Sequence, residues 1–336
     1  MSDLVSIVIP AFNQLSYCEQ CVSSIQQGTD WPYRLILVDN GSTDGVGKYF
    51  DQVPGASVIH SATNVGFAAG TNLGLAHAEG HVLLLNSDTV VPNGWLSRLM
   101  QSLLADPRRG AVGPCSNYVS GEQQIATPTL SSMEEINRFA NDLAVRRKGV
   151  TRVTQRLVGF CLLVRDRVFD EVGMLDEQFG IGNFEDDDYC LRIMKSGYEC
   201  RIADDCFVFH YGNRTFQSMG IVGDSFHALC DTNGQRFAAK WDEASLHSVS
   251  RQLAELALQT YDGGDLAAAM RLMKEAIARG PRIAENYVDL AAILERAGSR
   301  EKALEYLRRA QSLAPASSPI VEKLATLERD VANGER

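Results

Sequence analysis

Along the first two-thirds of the chain, short apolar runs alternate with longer stretches in which apolar residues recur every three or four positions. VSIVIP, RLILVDN, SVIHS, HVLLLNSD, AVGPCS, VGFCLLVRD and CFVFH are apolar runs of strand length. Between them, residues 14–27, 66–79 and 94–105 carry helical spacing. Strands that alternate with helices predict an α/β sheet, largely parallel and covered on both faces. In such sheets the ligand site lies at the carboxyl ends of the strands.

Near residue 245 the pattern changes to Ala-, Leu-, Glu- and Arg-rich segments of helical period with no strand signal. Gly264, Ala269, Ala276 and Pro281 recur 34 positions later as Gly298, Ala303, Ala310 and Pro315 (315 − 281 = 34). That period is the one of the tetratricopeptide helix–turn–helix unit. Small Ala residues let paired helices approach, Gly permits the turn, and Pro ends the second helix. Residues 318–332 repeat only the first helix, with Leu324 and Ala325 echoing Leu290 and Ala291, as a closing cap would. The expectation is two domains, residues 1–245 and an all-α, tetratricopeptide-like repeat over residues 246–336.

Composition narrows the class. With 45% hydrophobic and 22% charged residues over 336 positions, this is the make-up of a soluble globular protein of about two domains. A net charge of −10 argues against a nucleic-acid-binding surface. The amino-terminal MSDLVSIVIP has no signal-peptide pattern, and no apolar run has the length of a membrane span. A cytoplasmic setting is expected, with peripheral membrane association left open. The eight cysteines are scattered in apolar segments, as buried thiols in a reducing compartment would be. Cys18 and Cys21 form a Cys-x-x-Cys with no second pair to complete a zinc site.

The polar residues gather where the strands stop. The first strand runs into Pro10-Ala11-Phe12-Asn13, and the second into Asp39-Asn40-Gly41-Ser42-Thr43-Asp44-Gly45. A third cluster runs from Asn64 through Gly66, Phe67 and Gly70 to Asn72, and the fourth strand ends at Asn86-Ser87-Asp88. Each alone is ordinary turn chemistry, but four of them converge on one sheet edge. A strand-end Asp can accept hydrogen bonds from a nucleobase imide or a ribose hydroxyl. Small residues from Gly66 to Gly70 let backbone amides and a helix amino terminus approach phosphate. Asp88 offers a hard oxygen to Mg²⁺ or Mn²⁺ on a diphosphate. The glycine pattern of nicotinamide-dinucleotide folds and the Gly-Lys-Ser/Thr of P-loops are missing.

The ordered blocks SIVIPAFNQ, LILVDNGSTDG, NVGFAAGTNLGLAHAEG, VLLLNSDTVVPNGWL, GFCLLVRD and FEDDDYCLRIMKSGY resemble the family 2 glycosyltransferases, particularly their rhamnosyltransferase-like branch, over roughly residues 4–215. The resemblance implies a GT-A nucleotide-diphospho-sugar transferase fold. It implies that Asp39 contacts the base or ribose, with Asn40 and the turn of Pro10, Ala11 and Asn13 beside it. Asn64, Gly66, Phe67 and Asn72 would line the nucleotide and diphosphate, with Asn86 and Ser87 leading into the metal ligand Asp88. Asp88 matches the last residue of the family's Asp-x-Asp; Asn86 stands at the first position, leaving one carboxylate where others have two. The implied cofactor is Mn²⁺ or Mg²⁺, and the implied donor a nucleotide-diphosphate sugar, UDP- or dTDP-linked.

The run Asn183–Arg192, NFEDDDYCLR, sets Glu185, Asp186, Asp187 and Asp188 side by side. Acids in a first helical turn favour the helix dipole, so a solvated helix start accounts for part of it. Glu185 and Asp186 match the family's Glu-Asp pair, which implies Asp186 as base and Glu185 on sugar or acceptor hydroxyls. Asp187 is read as the solvated helix start, and Asp188 matches the family acid without a defined role. His210, closing CFVFH, resembles a family histidine that reaches the metal or diphosphate. Pro114 to Val158, with Arg146, Arg147 and Lys148, is read as acceptor side or as a solvated basic turn. The expected function is an inverting, metal-dependent glycosyltransferase acting on a glycan or protein acceptor. The alternative is a catalytically weak sugar-nucleotide-binding scaffold whose repeats recruit a protein partner.

Overall fold

A computed structural model describes residues 3–212 and 214–334. It divides into two compact units, Met1–Asn233 and Gly234–Arg336. The first is built on strands β1 (Val5–Ala11), β2 (Tyr33–Asp39), β3 (Ala56–His60), β4 (His81–Leu85), β5 (Thr89–Val90), β6 (Arg109–Cys115), β7 (Thr151–Thr154), β8 (Cys161–Val164), β9 (Glu199–Phe207) and β10 (Phe209–His210). Eight of them form one sheet in the order β3-β2-β1-β4-β8-β6-β9-β7, and β5 pairs with β10 in a separate ribbon.

The half β3-β2-β1-β4 is parallel throughout. Its order reverses at β1, which places a crevice between the carboxyl ends of β1 and β4, where open α/β sheets take their ligands. Strand β8 then runs antiparallel to both β4 and β6. The rest of the sheet is β6 parallel to β9 and β9 antiparallel to the edge strand β7.

Helices α1 (Leu15–Gly28), α2 (Val46–Phe50), α3 (Phe67–Leu75), α4 (Trp95–Leu104), α5 (Met133–Arg146), α6 (Asp166–Val172), α7 (Glu185–Lys195), α8 (Arg214–Ser218) and α9 (Asp224–Lys240) complete this part of the chain. Alternate residues of one strand feed two cores. Val5, Ile7 and Ile9 pack with Cys21 and Ile25 of α1 and Leu99 of α4. Val8 turns the other way, into a core with Ala68 of α3, Val168 of α6 and Ile193 of α7. Burial on both faces is why the parallel strands read as continuous apolar runs. Seven cysteines are buried and none is in a disulfide; burial pushes the Cys21 thiol up to about 12, which keeps it protonated and inert.

The second unit is helical: α10 (Glu243–Asp262), α11 (Leu266–Arg279), α12 (Ala284–Arg296), α13 (Arg300–Leu313) and α14 (Ser318–Gly334). The small residues repeated at 34 spacing, Ala269, Ala276, Ala303 and Ala310, are all fully buried between helices. Gly264 and Gly298 turn the chain with φ of 93° and 81°. Among the described residues no helix is long and apolar enough to cross a membrane.

Candidate active site

The turn after β1 and the turn after β2 are tied together. Asn13, in the left-handed region (φ 57°), receives the Thr43 N–H on its Oδ1 at 2.9 Å, and its own N–H donates to Ser42 Oγ at 2.9 Å. Asn40 N–H donates to the Ala11 carbonyl at 2.8 Å. Asp39 is thereby presented at the strand end with Oδ1 accepting the Ser42 N–H at 2.8 Å and Oδ2 lying 3.3 Å from His60 Nδ1. His60 Nε2 in turn lies 3.0 Å from Asp51 Oδ1. Carboxylates only accept, so an imidazole set between two of them favours its charged form. Its pKa is raised, first by Asp51, against the desolvation cost and with help from Asp39. At Gly47 a Cβ would lie 2.4 Å from Asp39 Oδ2, so only glycine leaves this carboxylate its place.

Asn40 and Asn64 shape the third cluster. Asn40 Nδ2 donates to Asn64 Oδ1 at 3.1 Å and to the Gly66 carbonyl at 3.0 Å, and Asn40 Oδ1 accepts the Val65 N–H at 3.1 Å. Gly66 has φ 96°, and a Cβ on it would sit 2.2 Å from the Gly180 carbonyl oxygen. Phe67 N–H donates to the Ile181 carbonyl at 3.3 Å. The turn that opens α3 is therefore pressed against the loop that leads into the acidic helix α7. Asn72 lies one turn further on and is buried; its amide joins Leu175, through both N–H and carbonyl, and Glu177. It ties α3 to the same loop.

The β5–β10 ribbon brings the fourth cluster to His210, because His210 pairs with Thr89. Asp88 Oδ1 lies 3.1 Å from His210 Nε2. His210 Nδ1 lies 2.8 Å from the Tyr118 carbonyl, which can only accept, so Nδ1 carries hydrogen and Nε2 faces the carboxylate. The ring stacks on Phe160 at 5.1 Å. Burial opposes both charges, yet each partner outweighs it: the Asp88 carboxyl is held below its usual range and the His210 imidazole above its own. Asn86 N–H donates to the Phe160 carbonyl at 2.8 Å, while its Oδ1 is buried without a hydrogen-bond partner among the described residues. Ser87 is buried between them.

The four acids of α7 are all buried, and each meets a different environment. Glu185 Oε2 has no hydrogen-bond partner among the described residues. Burial first, and then Asp186, pushes its carboxyl well above the usual range. Asp186 Oδ2 accepts the Gly159 N–H at 2.9 Å and Oδ1 the Asp187 N–H at 2.9 Å. Asp187 corrects the expectation of a solvated helix start: it is 1% exposed and its Oδ1 lies 2.9 Å from Arg156 Nε. Asp188 is equally buried and pairs with Arg192 Nε at 2.9 Å. Asp187 is shielded from solvent because an arginine distant in sequence, in the β7–β8 connection, covers that face of the helix.

Three groups that touch acids of the site, His60 at Asp39, Gly159 at Asp186 and Arg156 at Asp187, are not marked by the sequence patterns. His60 and Gly159 sit at the ends of apolar runs, a signal that exists but is weak. Arg156 carries no local signal at all.

The family description Glycosyl transferase family 2 matches residues 6–173. Glycosyltransferase GlyG of Streptococcus pneumoniae is 27% identical over 186 residues, 51% of this chain, and the match spans 60% of its own length. An N-acetylglucosaminyl-diphospho-decaprenol L-rhamnosyltransferase of Mycobacterium tuberculosis is 25% identical over 240 residues, 63% of this chain and 77% of its own. Among solved structures, the mannosyltransferase PcManGT from Pyrobaculum calidifontis, in complex with GDP-Man and Mn²⁺, superposes with a TM-score of 0.50 at 19% identity, covering 96% of this chain and 78% of that one. Residues 1–349 of S. aureus TarS give 0.52 at 14% identity, covering 94% and 92%. At these identities the likeness is one of fold, the GT-A fold.

Proposed function

This chain belongs to glycosyl transferase family 2, and from that premise we propose that it moves a sugar from a nucleotide-diphosphate sugar to a hydroxyl of a glycan or protein acceptor, with inversion at the anomeric carbon. The observation that carries the reading is the junction of the two halves of the site. The Gly66 turn, suited to diphosphate, and the loop into Glu185–Asp186 are in direct contact through Gly66, Phe67, Gly180 and Ile181. A donor held on one therefore meets the acids of the other.

In this reading Asp39, fixed by Ser42 and His60, accepts from the base or ribose of a UDP- or dTDP-linked donor. The turn at Gly66, whose own amides are taken up by Asn40, Asn64 and Ile181, would set the positive end of α3 near the diphosphate. Asp88 and His210 would hold a divalent cation. The donors would suit Mn²⁺ or Mg²⁺ once a cation displaces the proton His210 Nε2 shares with Asp88. A hard carboxylate, that imidazole nitrogen and the Asn86 oxygen, which has no partner among the described residues, would leave the rest of the shell to diphosphate and water, since no group of three or more His, Cys, Asp or Glu gathers there among the described residues. Such a cation supplies Lewis acidity to the departing diphosphate.

Glu185, whose carboxyl burial and then Asp186 push up, would meet the hydroxyls of the donor sugar or the acceptor. Asp186, oriented by the Gly159 N–H, is the base. It takes the proton of the acceptor hydroxyl as that oxygen forms its bond to the anomeric carbon. The bond from that carbon to the diphosphate oxygen breaks on the opposite face, and its electron pair leaves with the nucleoside diphosphate. Residues 1–245 would carry this reaction. Residues 246–336, with their 34-residue period, would act as tetratricopeptide-like repeats that bring a protein partner or protein acceptor.

The test is Asp186→Asn. It is expected to keep nucleoside diphosphate affinity and to slow transfer by about 10²- to 10⁴-fold, the usual weight of general base assistance. Transfer at the unmodified rate would remove Asp186 from this role. The scaffold reading draws on Asn86 standing where a second acid could be. Release of nucleotide from a donor in Mn²⁺ separates the two, since a scaffold releases none.

A further inference from the structure

The loop that feeds α7 enters it through two consecutive left-handed residues, Asn183 (φ 73°) and Phe184 (φ 78°). Asparagine tolerates that region; a buried phenylalanine does not adopt it without outside support. One support is the contact with the Gly66 turn. The other comes from far along the chain, from α9. Asn233 is fully buried there, and its Nδ2 lies 2.8 Å from the Phe179 carbonyl, 2.8 Å from the Gly182 carbonyl and 3.1 Å from the Asn183 carbonyl.

A side-chain amide has two N–H donors. Here they are shared among three carbonyls that a loop of this shape turns toward one point. Backbone carbonyls buried in this way need such a donor. Aspartate offers only acceptors, serine reaches a single carbonyl, and glutamine carries the same head one methylene too far. The demand at position 233 is thus for this side chain, and the segment it holds ends two residues before Glu185.

We propose that Asn233 is a positioning residue for Glu185 and Asp186: by gathering the carbonyls of Phe179, Gly182 and Asn183 it fixes the left-handed entry into α7, and so the place at which the acidic pair meets the donor. This rests on the reading that the pair carries the chemistry. Asn233 itself touches no substrate. Its effect is on where Glu185 and Asp186 stand, and a carboxylate displaced by about 1 Å loses on the order of 10²-fold in rate.

The experiment uses the full chain with Asn233→Ala and Asn233→Gln. Amide hydrogen exchange is followed over residues 179–189 and over β1, together with UDP, dTDP and GDP affinity in Mn²⁺ and with kcat and KM for a turned-over donor. Asn233→Ala is expected to raise exchange over residues 180–185 about tenfold, leave exchange in β1 and nucleotide affinity within about twofold, and lower kcat about 100-fold with KM little changed. Asn233→Gln, which retains the donors and guards against a failure to fold, is expected to fall between that variant and the unmodified chain. Unchanged exchange over residues 180–185 would overturn the clamp. Raised exchange with unchanged kcat would overturn the positioning role, as would a general rise that includes β1, which marks loss of the fold. If the unmodified chain turns over no nucleotide sugar, the transfer reading falls, and the exchange measurement still decides whether Asn233 holds the loop.

Discussion

Asp187 shows what a single charge costs in this site. Its carboxylate is shielded from water and is balanced by Arg156, itself only 10% exposed at the side chain. An ion pair in such a place contributes little net stability, because desolvation consumes most of the attraction, but breaking it strands a charge. Arg156→Leu is therefore expected to destabilise the protein by about 3–5 kcal/mol. The double variant Arg156→Leu, Asp187→Leu should cost clearly less, because both charges of the pair are then removed together. Urea unfolding measures both; a double variant as costly as the single would show that the pair does not act as a charge couple. The same couple matters to its neighbours, since Asp187 already helps to push the Glu185 carboxyl up and loss of Arg156 would remove a charge that offsets it.

At the scale of elements, β4 carries the group that gives this fold a pH dependence away from the site. His81 opens β4, 1% exposed, and its Nδ1 accepts the Asp166 N–H at the start of α6 at 3.0 Å. Burial, partly offset by Asp166, holds its pKa below 6.5. The unfolded chain then binds the proton more readily than the folded one between that depressed value and about 6.5, so stability falls as pH drops through this window and is unaffected above it. Unfolding free energies at about pH 7.5 and 5.5 should differ by more in the unmodified chain than in His81→Gln, which keeps an acceptor without the titration; an equal difference would clear His81. The parallel strands were legible because burial on both faces writes itself as unbroken Val, Ile and Leu. Strand β7, Thr-Arg-Val-Thr at the sheet edge, is short and half exposed and writes no such pattern. The two-residue strands β5 and β10 are too short for any period, although they set Asp88 against His210. Strand-end clusters gave away the candidate site; Arg156 and Asn233 did not, because their importance exists only once distant segments meet.

For the molecule as a whole, the proposed ligands should act as stabilisers. A nucleoside diphosphate with Mn²⁺ at about 100 times its Kd adds roughly 2.7 kcal/mol to the state that binds it. That increment should appear as a rise in melting temperature with UDP or dTDP and should shrink when EDTA removes the cation. Asp88→Ala should melt at the same temperature with and without Mn²⁺ in the presence of nucleotide. A full Mn²⁺-dependent rise in Asp88→Ala would place the cation elsewhere.

The order of the central sheet also bears on how the chain comes to exist. Strand β8, between β4 and β6, is contributed by residues 161–164, long after both of its neighbours have been made. During synthesis the parallel half can assemble early, but β4 then presents Val82, Leu83, Leu84 and Leu85 along an open edge until β8 arrives. Such an edge is a template for pairing with another chain. A chain stopped at residue 155 is expected to scatter light and sediment as aggregates, where one carried through residue 233 stays dispersed; an equally dispersed short chain would show that the edge is covered by other means. The strand that joins the two halves of the sheet is thus also the one that closes the exposed edge of β4 in the growing chain.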